Sequence, residues 1–181
     1  MESYSQIGQD RWVLSLFPEG YKGFFIDVGC SLPKNINNTL LLEEHGWDGV
    51  AFDIVNYSKQ WKVRKTQFIC ADVLSFDFRG FGISLLIDYM SLDIDTKGTN
   101  YEVLKNLIGE GFEFKVITVE HNLYLGEEYN QAERLPQREL LLSKGYTLIR
   151  ADIEFEDDGN AFEDWWINKK YINGLDTRRK V

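Results

Sequence analysis

The sequence predicts an α/β protein whose doubly wound, mostly parallel sheet lies between two helical layers, a three-layer α/β/α plan of Rossmann-like type. Three observations carry that expectation. Short apolar runs bounded by turn residues recur along the chain. Several lack polar alternation, as strands buried on both faces do. Helix-like segments separate most of them, the pattern of strands joined by right-handed crossovers.

The predicted strands are residues 23–28 (GFFIDV), 49–54 (GVAFDI), 67–70 (QFIC), 87–94 (IDYMSLDI), 115–120 (KVITVE) and 146–153 (YTLIRADI). After the first, Asn37 and Asn38 precede a leucine-rich stretch and Gly46 follows His45, so an asparagine N-cap and a glycine stop frame a short helix. After the fourth, Thr99 and Glu102 have capping-box spacing and open a helix that ends near Gly109 or Gly111. After the fifth, Pro136 suits a first helical turn before Leu140-Leu141-Leu142, with Gly145 as the stop.

The 181 residues carry no repeat, low-complexity tract or proline-rich linker, and are read as one domain spanning 1–181. A formal charge of -9 and a pI near 4.8 give a field that repels phosphate backbones, which argues against nucleic acid as a partner. No apolar stretch approaches a membrane span, and the opening residues lack a signal-peptide layout. With only Cys30 and Cys70, the expected setting is reducing and cytoplasmic, with no membrane partner and a homo-oligomer left open.

Ligands of doubly wound sheets bind at the carboxyl ends of the strands. Three of the first strands finish at or beside an acid: Asp27, Asp53 and Asp72. An acid after the second strand suits the two hydroxyls of a ribose, and one after the third can accept from an adenine amino group. The first loop holds Gly29 alone, with no G-x-G-x-x-G, and no P-loop motif occurs. Asp27 beside that loop would repel a pyrophosphate. A phosphate-free nucleoside bearing positive charge meets both conditions, and S-adenosylmethionine is such a ligand.

Ser5-Gln6-Ile7-Gly8-Gln9-Asp10, Gly23-Phe24-Phe25-Ile26-Asp27-Val28-Gly29, Asn38-Thr39-Leu40-Leu41-Leu42-Glu43, Gly46-Trp47-Asp48-Gly49, Ser91-Leu92-Asp93-Ile94-Asp95 and Val119-Glu120-His121 follow one another here. In that order they resemble FkbM-type methyltransferases. The resemblance covers most of residues 5–150 and implies a class I S-adenosylmethionine-dependent methyltransferase fold that acts on hydroxyl oxygens of sugars, glycans or other small polar acceptors. It implies that Asp27, Gly29, Asn38 and Thr39 line the methionine end of the cofactor, Asp53 the ribose and Asp72 the adenine, with the segment from Gln6 to Asp10 as a cap. The expected cofactor set is completed by Cys30, Ile54, Val73 and Asp93. Two residues more than the family pattern follow Asp95 before the helix, and no separate acceptor domain is present, so the acceptor must rest on loops such as 122–134 or on a partner subunit.

Methyl transfer to oxygen needs an in-line arrangement and removal of the acceptor proton. The candidate catalytic residues are His121, Asp93 and Glu120, with His121 as the base because histidine titrates nearest neutral pH. Asp93, Asp95, Glu120 and His121 also compose a possible Mg²⁺ site, which would lower the hydroxyl's pKa; the metal-free version is preferred, since neighbouring residues on an extended strand point to opposite faces. Trp165 and Trp166 lie in a segment read as a polar tail; packing alone is the preferred reading, with one on the sheet and the other at a sugar or a subunit as the alternative. Lys169-Lys170 and Arg178-Arg179-Lys180 read as a solvated basic end. A catalytically silent cofactor-binding subunit and a methyltransferase acting on nucleic acid or protein stand as alternatives.

Overall fold

The computed structural model describes residues 2–155 and 159–176; the basic triplet at 178–180 lies outside them. Seven strands form one sheet: β1 (Phe24–Val28), β2 (Asp48–Asp53), β3 (Gln67–Cys70), β4 (Leu86–Leu92), β5 (Glu113–Glu120), β6 (Tyr146–Glu154) and β7 (Ala161–Asn168). Their order is β3-β2-β1-β4-β5-β7-β6. The first five pair in parallel, and β7 is inserted antiparallel between β5 and β6. The helices are α1 (Gln9–Leu16), α2 (Leu40–Glu44), α3 (Phe78–Phe81), α4 (Thr99–Gly109), α5 (Glu127–Tyr129) and α6 (Leu135–Ser143).

Each face of the sheet has its own core. Ile26 and Val28 of β1 and Trp166 of β7 pack with Leu104 and Leu107 of α4 and Leu141 of α6. Phe25, Tyr89 and Trp165 pack on the other side with Trp12 and Leu16 of α1 and Leu42 of α2. At five residues α2 is far too short to persist by itself. Its three buried leucines, at roughly 1.5–3 kcal/mol each, hold it on the sheet. Asn37 supplies the expected cap, its Oδ1 accepting from the backbone N–H of Thr39 at 3.1 Å and of Leu40 at 2.9 Å.

Three expectations are corrected. The segment read as a polar tail is β7, a strand buried along its whole length. Trp165 and Trp166 therefore face opposite sides of the sheet, and both are core residues at 1% and 0% exposure, closed to a sugar or a subunit. Gln9–Leu16 forms a helix where none was predicted, although its first two residues are buried polar ones. The capping box at Thr99 is not formed: the start of α4 is closed by Glu133, whose carboxylate accepts from the backbone N–H of Asn100 at 3.3 Å and of Tyr101 at 2.9 Å. No helix among the described residues is long and apolar enough to cross a membrane.

Candidate functional site

A cavity of about 790 Å³ opens at the carboxyl ends of β1 to β5. Its floor is set by Gly29, which has φ +78° and passes so close to β4 that a Cβ built there would overlap the Asp93 carbonyl oxygen. Only glycine permits both the left-handed backbone and that approach. The backbone N–H groups of Gly29 and Cys30 both donate to Phe52 O, and Asp93 N donates to Val28 O, so the loop is pinned between β2 and β4.

Asp53 and Asp72 line the cavity at the next two strand ends. Asp53 accepts from Ser31 N at 2.9 Å and Val55 N at 2.8 Å, which fixes the carboxylate while leaving lone pairs directed into the cavity. Asp72 is held by Leu74 N at 3.0 Å. Beside them Ile54 and Val55 are 73% and 51% exposed, an apolar shelf without a protein partner that suits a flat base.

Asp27, Cys30, Asn38, Thr39 and Asp10 stand behind the wall instead of in it. Burial pushes the Asp27 carboxyl up to about 6, against the opposing pull of the Thr39 hydroxyl, which donates to it at 2.7 Å. Burial likewise pushes up the Cys30 thiol, an inert wall group in this environment. Asn38 donates to Ser91 Oγ at 2.9 Å, while its Oδ1 is buried with no donor. Asp10, fully buried, accepts from Ser3 Oγ, Tyr4 N and Ser5 Oγ and so folds the N-terminal segment over the site. Tyr4 O in turn receives Asn37 N at 2.9 Å, and Gln6 reaches the cavity. Of the segment expected as a cap, Gln6 alone lines the cavity, while Asp10 fastens the chain from behind.

The far end of the cavity carries the acids of β4 and β5. Asp93, Asp95 and Glu120 each offer a carboxylate oxygen within 4.8 Å of the others. Glu120 is 6% exposed and shares a hydrogen bond with Asp93. Burial raises both; the charge and hydrogen bond of Asp93 push Glu120 further up, whereas the hydrogen bond with Glu120 pulls Asp93 down against burial and the charges of Asp95 and Asp53, which leave it pushed up to about 6.

The expected base stands elsewhere. His121 follows Glu120 on an extended strand and points to the opposite face, where its Nε2 lies 3.6 Å from Asp152 and 3.5 Å from Asp164. Arg134 and Arg138 already grip those carboxylates, with Arg138 Nε 2.7 Å from Asp164 and Arg134 Nε 2.6 Å from Asp152. His121 is wholly buried and does not line the cavity. The possible Mg²⁺ set is thereby divided, because His121 cannot join Asp93, Asp95 and Glu120 around one ion.

Phe155 and Phe162, to which sequence reasoning gave no place in the site, build the outer wall with Asn122 and Tyr124 of the expected acceptor loop 122–134. Asn122 was an alternative to His121 in the possible Mg²⁺ set; its φ of +49° turns the chain back over the site. Phe162 enters on β7, the strand that the local pattern concealed. Among the described residues that line it, five are carboxylates (Asp53, Asp72, Asp93, Asp95 and Glu120) and none is Lys, Arg or His.

No family model and no curated protein matches the sequence. Solved structures do. A protein provisionally named an rRNA methylase from Clostridium thermocellum overlaps 92% of this chain and 97% of its own, with TM-score 0.62 and 17% identity. A provisionally named methyltransferase from Streptococcus mutans, in complex with S-adenosylhomocysteine, overlaps 92% and 98%, with TM-score 0.61 and 14% identity. The N-methyltransferase NodS from Bradyrhizobium japonicum overlaps 90% and 93%, with TM-score 0.59 and 12% identity. The fold is that of the class I methyltransferases.

Proposed function

We propose that this chain is a cytoplasmic S-adenosylmethionine-dependent methyltransferase acting on a hydroxyl of a sugar, glycan or similar small polar acceptor. The observation that supports it best is the cavity's charge: among the described residues, five carboxylates and no cation line a pocket with a glycine floor and an apolar shelf. A phosphate-bearing nucleotide meets repulsion there, whereas a sulfonium nucleoside is attracted. The FkbM resemblance points the same way.

The residues fit that cofactor. Asp53 would hold the ribose hydroxyls, Asp72 the base amino group, Ile54, Val55, Val73 and Leu74 its faces, and Gly29 the close approach at the middle of the ligand. Asp27 and Thr39, bonded to one another, and Asn38, with its unpartnered Oδ1, would order the loop at the methionine end. When bound, the cofactor supplies a methyl group on a positively charged sulfur. The protein's part is to aim the acceptor oxygen in line and to take its proton. Glu120 and Asp93, neighbouring carboxyls at the cavity wall, would take on the second task. His121, on the other face, would act as a positioning residue by anchoring the end of β5 through Asp164 and Asp152.

Calorimetry with S-adenosylhomocysteine, followed by transfer of a labelled methyl group to a panel of glycans, RNA and protein, tests the reading. Binding of the cofactor product and labelling of a hydroxyl on a glycan support it. Labelling of RNA alone, or binding with no transfer to any acceptor, overturns it in favour of a nucleic-acid enzyme or a silent subunit.

A further inference from the structure

Resting on that reading of the cofactor, we infer that the acceptor carries an ammonium group, as an amino sugar or amino polyol does, seated against Asp95 and Glu120 under the ring of Tyr124. Asp53 and Asp72 belong to the nucleoside end, which leaves Asp93, Asp95 and Glu120 together at the other end. S-adenosylmethionine brings a sulfonium, an ammonium and a carboxylate, a net charge of one positive. Five carboxylates line the cavity among the described residues, so the loaded cavity keeps a surplus of negative groups.

Among the described residues none supplies a counter-charge at this end. Glu120 is 94% buried by its 6% exposure, aimed into the cavity, and bonded only to another carboxyl. No N–H or side-chain cation among the described residues reaches it. Lys97, the lysine nearest Asp95 along the chain, lies 5.8 Å from the centre of the Tyr129 ring, and it does not line the cavity. A buried carboxylate without a cationic partner is costly, and a charged donor that arrives with the substrate offsets the cost.

The surrounding groups are of the type that holds an organic cation. Tyr124 is 50% exposed and Phe155 39%, and both belong to this wall. Tyr124 is close enough to Glu120 and Asp95 that, after burial, their charges raise its phenol. An aromatic face beside carboxylates attracts an ammonium both through its quadrupole and through charge-assisted hydrogen bonds.

The test is ligand-observed NMR titration of the S-adenosylhomocysteine-loaded protein, in EDTA, with glucosamine against N-acetylglucosamine and glucose, and galactosamine against N-acetylgalactosamine. The expected result is that each ammonium member binds at least about tenfold more tightly than its neutral partners, the size of one charge-assisted bond. Asp95→Asn should remove most of that preference at unchanged S-adenosylhomocysteine affinity. Equal binding, binding of neither member, or a preference that appears only when Mg²⁺ replaces EDTA overturns the inference while the cofactor assignment stands. Failure to bind S-adenosylhomocysteine at all fells the cofactor reading and this inference with it.

Discussion

Replacing Glu163 by Gln should change how stability depends on pH more than it changes stability itself. Glu163 is 2% exposed on β7; its carboxyl accepts from Gln9 Nε2 at 3.0 Å and from the Trp165 indole. Burial pushes it up to about 8 from 4.5, over the lowering effect of those two donors. Between these values the native chain keeps a proton that the unfolded chain has released. Stability is therefore greatest below the unfolded value and is lost as pH rises through the folded one, at about 1.4 kcal/mol per pH unit. The full window amounts to something on the order of 5 kcal/mol, a large share of a typical domain's stability. Asp27, pushed up to about 6 by burial, tilts the curve in the same direction. That contribution is common to wild type and variant, so it cancels in their difference. Urea unfolding followed by tryptophan fluorescence at pH 5, 7 and 9 gives that difference. At pH 5 both proteins hold a neutral side chain and should differ only by the cost of the replacement. By pH 9 the variant should have gained several kcal/mol relative to wild type. A difference that stays constant within about 0.5 kcal/mol across the three pH values refutes a proton held by Glu163 in the folded state.

Gly29→Ala should cost roughly 1–2 kcal/mol for the left-handed backbone alone, and more for the overlap with Asp93 O; a thermal melt should drop by several degrees and S-adenosylhomocysteine affinity by more than tenfold. Asp53→Ala should weaken the same ligand by about 10–100-fold in calorimetry, since charge-assisted bonds to two hydroxyls are lost, and unchanged affinity in the folded variant would remove Asp53 from the site. Glu120→Gln should lower turnover by about 10²–10⁴-fold with cofactor binding retained, whereas folded His121→Gln should stay within about tenfold of wild type; the reverse ranking would return the base role to His121. Exhaustive chelation should leave turnover intact, and activity abolished by chelator and restored by Mg²⁺ would place an ion on Asp93, Asp95 and Glu120.

What the sequence disclosed about the fold followed from how each segment is buried. The runs 23–28, 49–54 and 115–120 are apolar because both faces of their strands are covered, and their periodicity reports that directly. β7 reads as polar because Glu163 and Asp164 sit side by side in it, yet both are buried. Their burial depends on Gln9, 154 residues away, and on Arg138, 26 residues away. No local pattern can announce a partner at that distance. The start of α1 was hidden for the same reason, since Gln9 and Asp10 are polar residues whose partners make them core. Within the site, Gly29, Asp53 and Asp72 were legible because strand ends fix which residues face a ligand in this topology. The aromatic outer wall comes from loops and from β7, whose positions depend on the completed sheet.

Glu120 and His121 illustrate how a single peptide step can divide two chemistries. Their separation follows from the period of two in an extended strand and from the point at which the strand stops. β5 stays paired with β7 through Glu120, opposite Glu163, and the chain turns only at Asn122. Had pairing ended two residues earlier, both side chains could have converged on one ion. With pairing intact, Glu120 enters the cavity, where no cation among the described residues meets it, while His121 enters a network in which Arg134 and Arg138 balance Asp152 and Asp164. The acids on one side of the sheet are thus compensated internally. Those on the cavity side have no positive partner among the described residues, and the proposed cofactor and acceptor would supply one.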